Sequence, residues 1–139
     1  MDKIKASTTI RWRRLAISAF VIVCGLVLRL AGYEIGLPFL LVKYGGSLLW
    51  GMMVFWLLAV LFVGQPLGRV AMIASVIAAA TEFSRLYHAP WLDEFRLTLA
   101  GALLLGRIFS VWNILAYLIG IAAAALIERQ LLTLRQRAE

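Results

Sequence analysis

Four apolar runs, at residues 15–31, 46–63, 70–87 and 108–127, limit what this chain can fold into. At about 1.5 Å of rise per helical residue, each approaches the roughly 30 Å hydrocarbon thickness of a bilayer. Backbone polar groups in lipid must find partners within their own segment or a closed barrel, so unbroken runs of this length are read as helices. A chain of 139 residues that is 63% hydrophobic and 15% charged could not hide so much apolar surface as a soluble domain. The expectation is an all-α membrane protein forming a single domain over residues 1–139.

The charge is unevenly spread. The formal net charge is +7, and nine of the fourteen lysines and arginines fall at one side of a four-span arrangement: Lys3, Lys5, Arg11, Arg13, Arg14, Arg69, Arg129, Arg135 and Arg137. The other side holds Arg29, Lys43, Arg85, Arg96 and Arg107, offset by Glu34, Glu82, Asp93 and Glu94. The positive-inside rule then places both termini in the cytoplasm of a bacterial inner-membrane protein. A five-span arrangement would send the basic tail outside. Nucleic acid is excluded as a partner, because no basic face with stacking aromatics sits on a soluble module. A cleaved signal peptide would share the basic start, but Arg29 stands where cleavage should begin and no A-x-A-like site follows. Cys24 is the single cysteine and His88 the single histidine, so neither a disulfide nor a metal set is expected, and no cofactor.

The breaks between runs carry their own signals. GYEIGLPFLLVKYGG holds Gly32, Gly36, Pro38, Gly45 and Gly46, which together predict a loop, with its apolar 37–42 stretch at the interface. GQPLGR reads as a turn. In HAPWLDEF, Pro90 ends the incoming helix, and Asp93 and Glu94 suit the first turn of a new one. The segment 93–106 is then a short re-entrant or interfacial helix before the last span, because its apolar part reaches only roughly 18 Å. Trp12, Trp91 and Trp112 suit the membrane interface.

Each run also carries a stripe of small or polar residues at helical spacing: Ser18, Gly25, Arg29 and Gly32; Gly46, Ser47 and Gly51; Ala71, Ser75, Ala78, Glu82 and Arg85; Ser110, Asn113, Tyr117, Gly120 and Ala124. Spacings of three and four put these on one face, and small residues let membrane helices approach closely, so the stripes are the inward faces of a bundle. Ionisable residues at membrane depth are costly unless paired or facing a cavity. Counted along their spans, Arg29, Glu82, Asn113 and Tyr117 all reach the same half of the bilayer, away from the basic termini. The candidate ligand site is therefore Arg29, Glu82, Arg85, Arg107, Asn113 and Tyr117. A blander arrangement uses the same residues: Glu82 neutralising Arg29, Arg85 reaching outward to headgroups, Arg107 anchoring to lipid, and Asn113 with Tyr117 bonding helix to helix.

The stretch EFSRLYHAPWLDEFRLTLAGALLLG followed by RIFSVWNILAYLIG closely resembles the DUF2809 family of small bacterial membrane proteins. It is more distantly similar to VanZ-type domains, in which one membrane helix carries a glutamate and a later one carries an arginine, an acidic residue, a polar residue and a glycine. Glu82, Arg107, Asn113, Tyr117 and Gly120 take those places here. The distant resemblance implies a role linked to the cell envelope, with tolerance of the glycopeptide antibiotic teicoplanin in the type member, and no established reaction. Two positions depart from the pattern: Arg85 where glutamine is more usual, and Asn113 where aspartate is. Asparagine cannot serve as a general base, which leaves Glu82 as the membrane-embedded acid of the constellation.

The leading expectation is a protein whose outward-facing pocket binds an anionic envelope lipid or a lipid-linked glycan. Arg29, Arg85 and Arg107 would contact phosphate, Glu82 would hold the arginines, and Asn113 and Tyr117 would bond the headgroup. One rival is a small proton-coupled transporter using Glu82, working as a homodimer. Another is a ligand-free structural subunit whose small-residue stripes pack a membrane protein partner. A lipid-hydrolysing or lipid-transferring enzyme is a fourth and weaker reading, since no Ser-His-Asp set or metal cluster supports it.

Overall fold

The structure, a computed structural model, describes residues 2–138, with side chains from Ile4 onward. Lys3, one of the basic residues counted above, lies outside the described side chains. Six helices follow one another: α1 (Asp2–Ala31), α2 (Phe39–Leu61), α3 (Leu67–Ser84), α4 (Pro90–Leu97), α5 (Leu99–Leu104) and α6 (Val111–Ala138). Four of them, α1, α2, α3 and α6, are long and apolar enough to cross a membrane. The protein is an all-α membrane protein of four such helices, with a short helical segment before the last. At about 1.5 Å per residue, neither α4 nor α5 can cross a bilayer, so the five-span arrangement is excluded.

The helices depart from the apolar runs at both ends. α1 begins at Asp2 rather than near residue 15, because nothing in the polar start is a glycine or proline and the chain simply continues as helix. Thr8 and Thr9 return their hydroxyls to the carbonyls of Ile4 and Lys5, both at 3.0 Å, so neither needs water. α2 begins at Phe39, directly after Pro38, and runs through Gly45 and Gly46. Glycine in a helix interior costs about 1 kcal/mol, which packing readily offsets, whereas proline at the N-terminus costs nothing. The 37–42 stretch therefore does not lie along the interface: Phe39–Val42 form the first turn of α2, and Val42 is fully buried.

At its far end α3 stops at Ser84 rather than near residue 87, with Arg85 as its cap. The expected helix over 93–106 is two pieces meeting at Thr98, whose backbone is extended. The Thr98 hydroxyl accepts from the Gly101 amide at 3.0 Å and so caps α5. α6 begins at Val111 and continues to Ala138, so the basic tail is part of the same helix.

α2 is the central element and packs against α1, α3 and α6. Its contact with α6 is backbone to backbone. A Cβ added at Gly51 would meet the Tyr117 carbonyl oxygen at 2.5 Å, and one at Gly120 would run into that of Leu48. Phe55, Trp56, Ala74, Ala78, Ile121 and Ala124 fill the core where α2, α3 and α6 meet. Among the described residues α1 lies close only to α2, and α4 with α5 close only to one another. Side chains make the remaining ties. At one end Arg13 and Arg14 on α1 reach Glu128 on α6, so α1 starts, and α2 and α6 finish, at the same end of the bundle.

Candidate functional site

Glu82 lies at the other end, on the last turn of α3, and is 0% exposed. Both of its carboxylate oxygens are used. Oε1 accepts from the Ser110 amide at 2.7 Å, Arg85 Nη1 at 2.9 Å and Asn113 Nδ2 at 3.1 Å. Oε2 accepts from the Tyr117 hydroxyl at 2.9 Å and lies 2.8 Å from Arg85 Nη1. The Tyr117 hydroxyl in turn accepts from Arg85 Nη2 at 2.8 Å, which closes a ring of three side chains. A buried carboxylate persists only when paired and fully bonded, and this one meets both conditions.

Local sequence explains why each partner arrives. Arg85 follows Glu82 by three residues, so the two share a face of the helix end. Asn113 and Tyr117 are four apart on the first turns of α6, and both are buried. Asparagine, not aspartate, suits position 113 because its Nδ2 must donate to Glu82, where a second carboxylate would repel. Arg85 does not reach outward. Its Nε donates to the Leu105 carbonyl at 2.5 Å and its Nη1 to that of Ile108 at 3.1 Å, which pins the link between α5 and α6. Gly106 in that link has a φ of +68°, and a Cβ there would lie 2.7 Å from the Arg85 guanidinium. Glycine meets both demands.

Beside this network lies a cavity of about 590 Å³, bounded by α1, α2, α5 and the start of α6. Five of the six sequence-predicted site residues line it: Arg29, Arg85, Arg107, Asn113 and Tyr117. Glu82 sits behind the wall and holds Arg85, Asn113 and Tyr117 in place. The Glu82–Arg29 pairing expected under the blander arrangement is absent. Glu82 pairs with Arg85, and Arg29 is exposed at the end of α1 without an ion pair among the described residues. Nor does Glu82 hold Arg107, whose Nε donates to the Arg96 carbonyl at 3.1 Å. Arg107 also lies ahead of α6 and not on its first turn. Ser47 lies 3.3 Å from Asn113 Oδ1 across the α2–α6 contact, and the Trp50 ring packs on Tyr117 with centroids 4.9 Å apart.

Two polar groups were not singled out from sequence. Arg96 on α4 is 2% exposed and donates to the carbonyls of Ser84 at 2.5 Å and Tyr87 at 2.8 Å. It ties α4 to the chain just past α3, adding a second donor to the Ser84 carbonyl, which also accepts from the Tyr87 amide at 3.1 Å, and no sequence spacing announces that. The second group is at the opposite end. Glu128, 0% exposed, accepts from Arg13 Nη2 at 2.7 Å and Arg14 Nε at 2.8 Å, while Arg14 Nη1 also donates to the Ala59 carbonyl. Here a signal existed. Gly120, Ala124 and Glu128 continue one stripe by fours, and Arg14 precedes Ser18 by four, so both stripes extend beyond the apolar runs into the charged ends of the helices.

No solved structure matches this chain. The family model described as a protein of unknown function (DUF2809) matches residues 37–121. That span covers α2 through the first part of α6, with every residue of the Glu82 network inside it and α1 outside. The match covers more than half of the sequence, and with it the chain belongs to the DUF2809 family.

Proposed function

We propose that this membrane protein holds the anionic headgroup of an envelope lipid, or of a lipid-linked glycan, in the cavity beside the Glu82 network. The observation that carries the reading is the make-up of the wall: Arg29, Lys43, Arg85 and Arg107 line it, no carboxylate among the described residues does, and Val21, Leu26, Leu49 and Met53 supply an apolar side. A cationic rim over an apolar wall suits an amphiphile, and arginine forks suit phosphate. The volume falls within the roughly 300–1,000 Å³ of ordinary ligand pockets. The cavity lies at the end of the bundle away from the start of α1, so with the basic ends cytoplasmic it opens outward from a bacterial inner membrane. The distant VanZ-type likeness points to the same envelope setting.

The transporter rival is supported less well, because Glu82 is saturated with donors and does not line the cavity. For a ligand-free subunit, the small-residue stripes would have to face a partner. Instead Gly51 and Gly120 are consumed within the bundle.

Mass spectrometry of protein extracted from native membranes tests the reading. Wild type is expected to retain an anionic lipid that Arg29→Gln/Arg107→Gln loses while keeping its thermal stability. Equal retention by the double variant, or co-purification of zwitterionic lipid alone, would reject it.

A further inference from the structure

The charges lining the cavity do not balance, and the imbalance says what kind of head would fill it. Arg85 is neutralised by Glu82 at 2.8 Å. The other three lining cations have no carboxylate partner among the described residues. Among the described residues Arg107 donates to the carbonyls of Arg96 and Leu97, which orient its guanidinium without cancelling its charge. Lys43 lies over the rings of Phe39 and Tyr44, 5.5 and 5.2 Å from their centroids. Arg29 has neither an ion pair nor a ring contact among the described residues. Three positive charges thus border one cavity whose remaining wall is largely apolar; Arg29 and Arg107 are exposed and Lys43 half-buried, so an anionic head entering the cavity meets all three.

A single phosphodiester brings one negative charge and leaves two cations unmet. A phosphomonoester brings roughly 1.5 to 2 charges, judged by phosphorylated side chains, and a diphosphate brings more. Resting on the lipid-binding reading above, we infer that the cavity selects an amphiphile with a phosphomonoester or diphosphate head over one with a phosphodiester head. The apolar chain lies along Val21, Ile22, Leu26, Leu49, Met53 and Leu103. Arg29, Lys43 and Arg107 take the phosphate oxygens, each contact a charge-assisted hydrogen bond. Arg85 has no free charge to offer, and its part is to hold the α5–α6 link that carries Arg107 into place.

Gly46 offers a way to test occupancy without touching a charge. It lines the cavity from within α2, and a Cβ added there meets nothing within 4 Å. Gly46→Phe therefore adds a large side chain to the cavity wall at a position where its Cβ has room.

The experiment is competition binding by native mass spectrometry on the full chain in detergent. The probes are farnesyl diphosphate, farnesyl monophosphate, dioleoyl phosphatidylglycerol, dioleoyl phosphatidylcholine and inorganic diphosphate. Farnesyl diphosphate and monophosphate are expected to bind at least about tenfold more tightly than phosphatidylglycerol, the size of one charge-assisted contact. In Arg29→Gln/Arg107→Gln that preference should vanish, and in Gly46→Phe both farnesyl phosphates should be lost at unchanged thermal stability. Phosphatidylglycerol binding as tightly as the farnesyl phosphates would overturn the charge preference and leave the anionic-lipid reading standing. Binding of no anionic probe above phosphatidylcholine would overturn both. Inorganic diphosphate competing as well as farnesyl diphosphate would overturn the amphiphile and point to a free phosphate ligand. Retention of the farnesyl phosphates by Gly46→Phe would show that they bind elsewhere.

Discussion

Glu82 and Glu128 are both fully buried carboxylates held by arginine, one at each end of the same bundle, yet they are built differently. Glu82 is served from three places: Arg85 just past α3, the Ser110 amide ahead of α6, and Asn113 and Tyr117 on α6 itself. Both of its oxygens are bonded. Glu128 uses Oε1 for two arginines of α1, while its Oε2 is buried without a partner among the described residues, as are Arg13 Nε and Ser18 Oγ. The Glu82 end joins elements already packed together, and it braces a cavity wall. The Glu128 end latches α1 to α6, two helices that have no close backbone contact. A fully bonded network specifies one geometry, whereas a half-bonded latch serves mainly to hold two elements together.

The largest effect should come from removing each carboxylate in turn. Glu82→Ala strands Arg85 and three further donors, so it is expected to destabilise by about 3–5 kcal/mol. Glu128→Ala should cost less, about 1–3 kcal/mol, because it strands two arginine donors, one of them partly exposed, where Glu82→Ala strands four donors. Thermal or denaturant unfolding in detergent checks the order, and an equal or reversed cost would break the contrast.

A middle-sized effect is expected at Gly106, which tests how tightly the Glu82 end is specified. Gly106→Ala introduces a methyl group against the Arg85 guanidinium at a positive φ. Its cost should be about 1–3 kcal/mol, where the same change at Gly46, open and helical, should be neutral or slightly stabilising. Similar melting temperatures for the two variants would show that the Arg85 pocket is loose.

The smallest effect, and the sharpest test of who pairs with whom, is a pair of double-mutant cycles. Glu82→Gln with Arg85→Gln should show coupling of about 0.5–3 kcal/mol, as groups in one network do. Glu82→Gln with Arg29→Gln should be additive within about 0.5 kcal/mol, because the two side chains do not meet. Coupling between Glu82 and Arg29 comparable to that with Arg85 would contradict the geometry described above.

Much of the site was legible in the residues. Glu82 and Arg85 are one turn apart, Asn113 and Tyr117 likewise, and counting residues along each span brought both pairs to one depth. The structure bonds all four together. The assignment failed where it relied on depth alone. Arg29 reaches the same level as Glu82, but α1 stands against α2 and away from α3, so Arg29 meets the cavity instead of the carboxylate.

Apolar run length by itself determined four membrane helices, since backbone groups in lipid have no other way to be satisfied. Spacings of three and four determined which face of each helix turns inward, since side chains on a helix have fixed angular positions. Tertiary structure alone decided which inward groups touch. Gly51 and Gly120 bring α2 and α6 into backbone contact, whereas α1 approaches neither α3 nor α6, and those distances follow from the packing of every helix at once. Tertiary structure also decided where the long arginines go. Arg85, Arg96 and Arg14 each take backbone carbonyls, from Leu105, Ser84 and Ala59, that become available only where a helix end or a tight crossing exposes them. A flexible guanidinium has many partners within reach, and the fold selects among them.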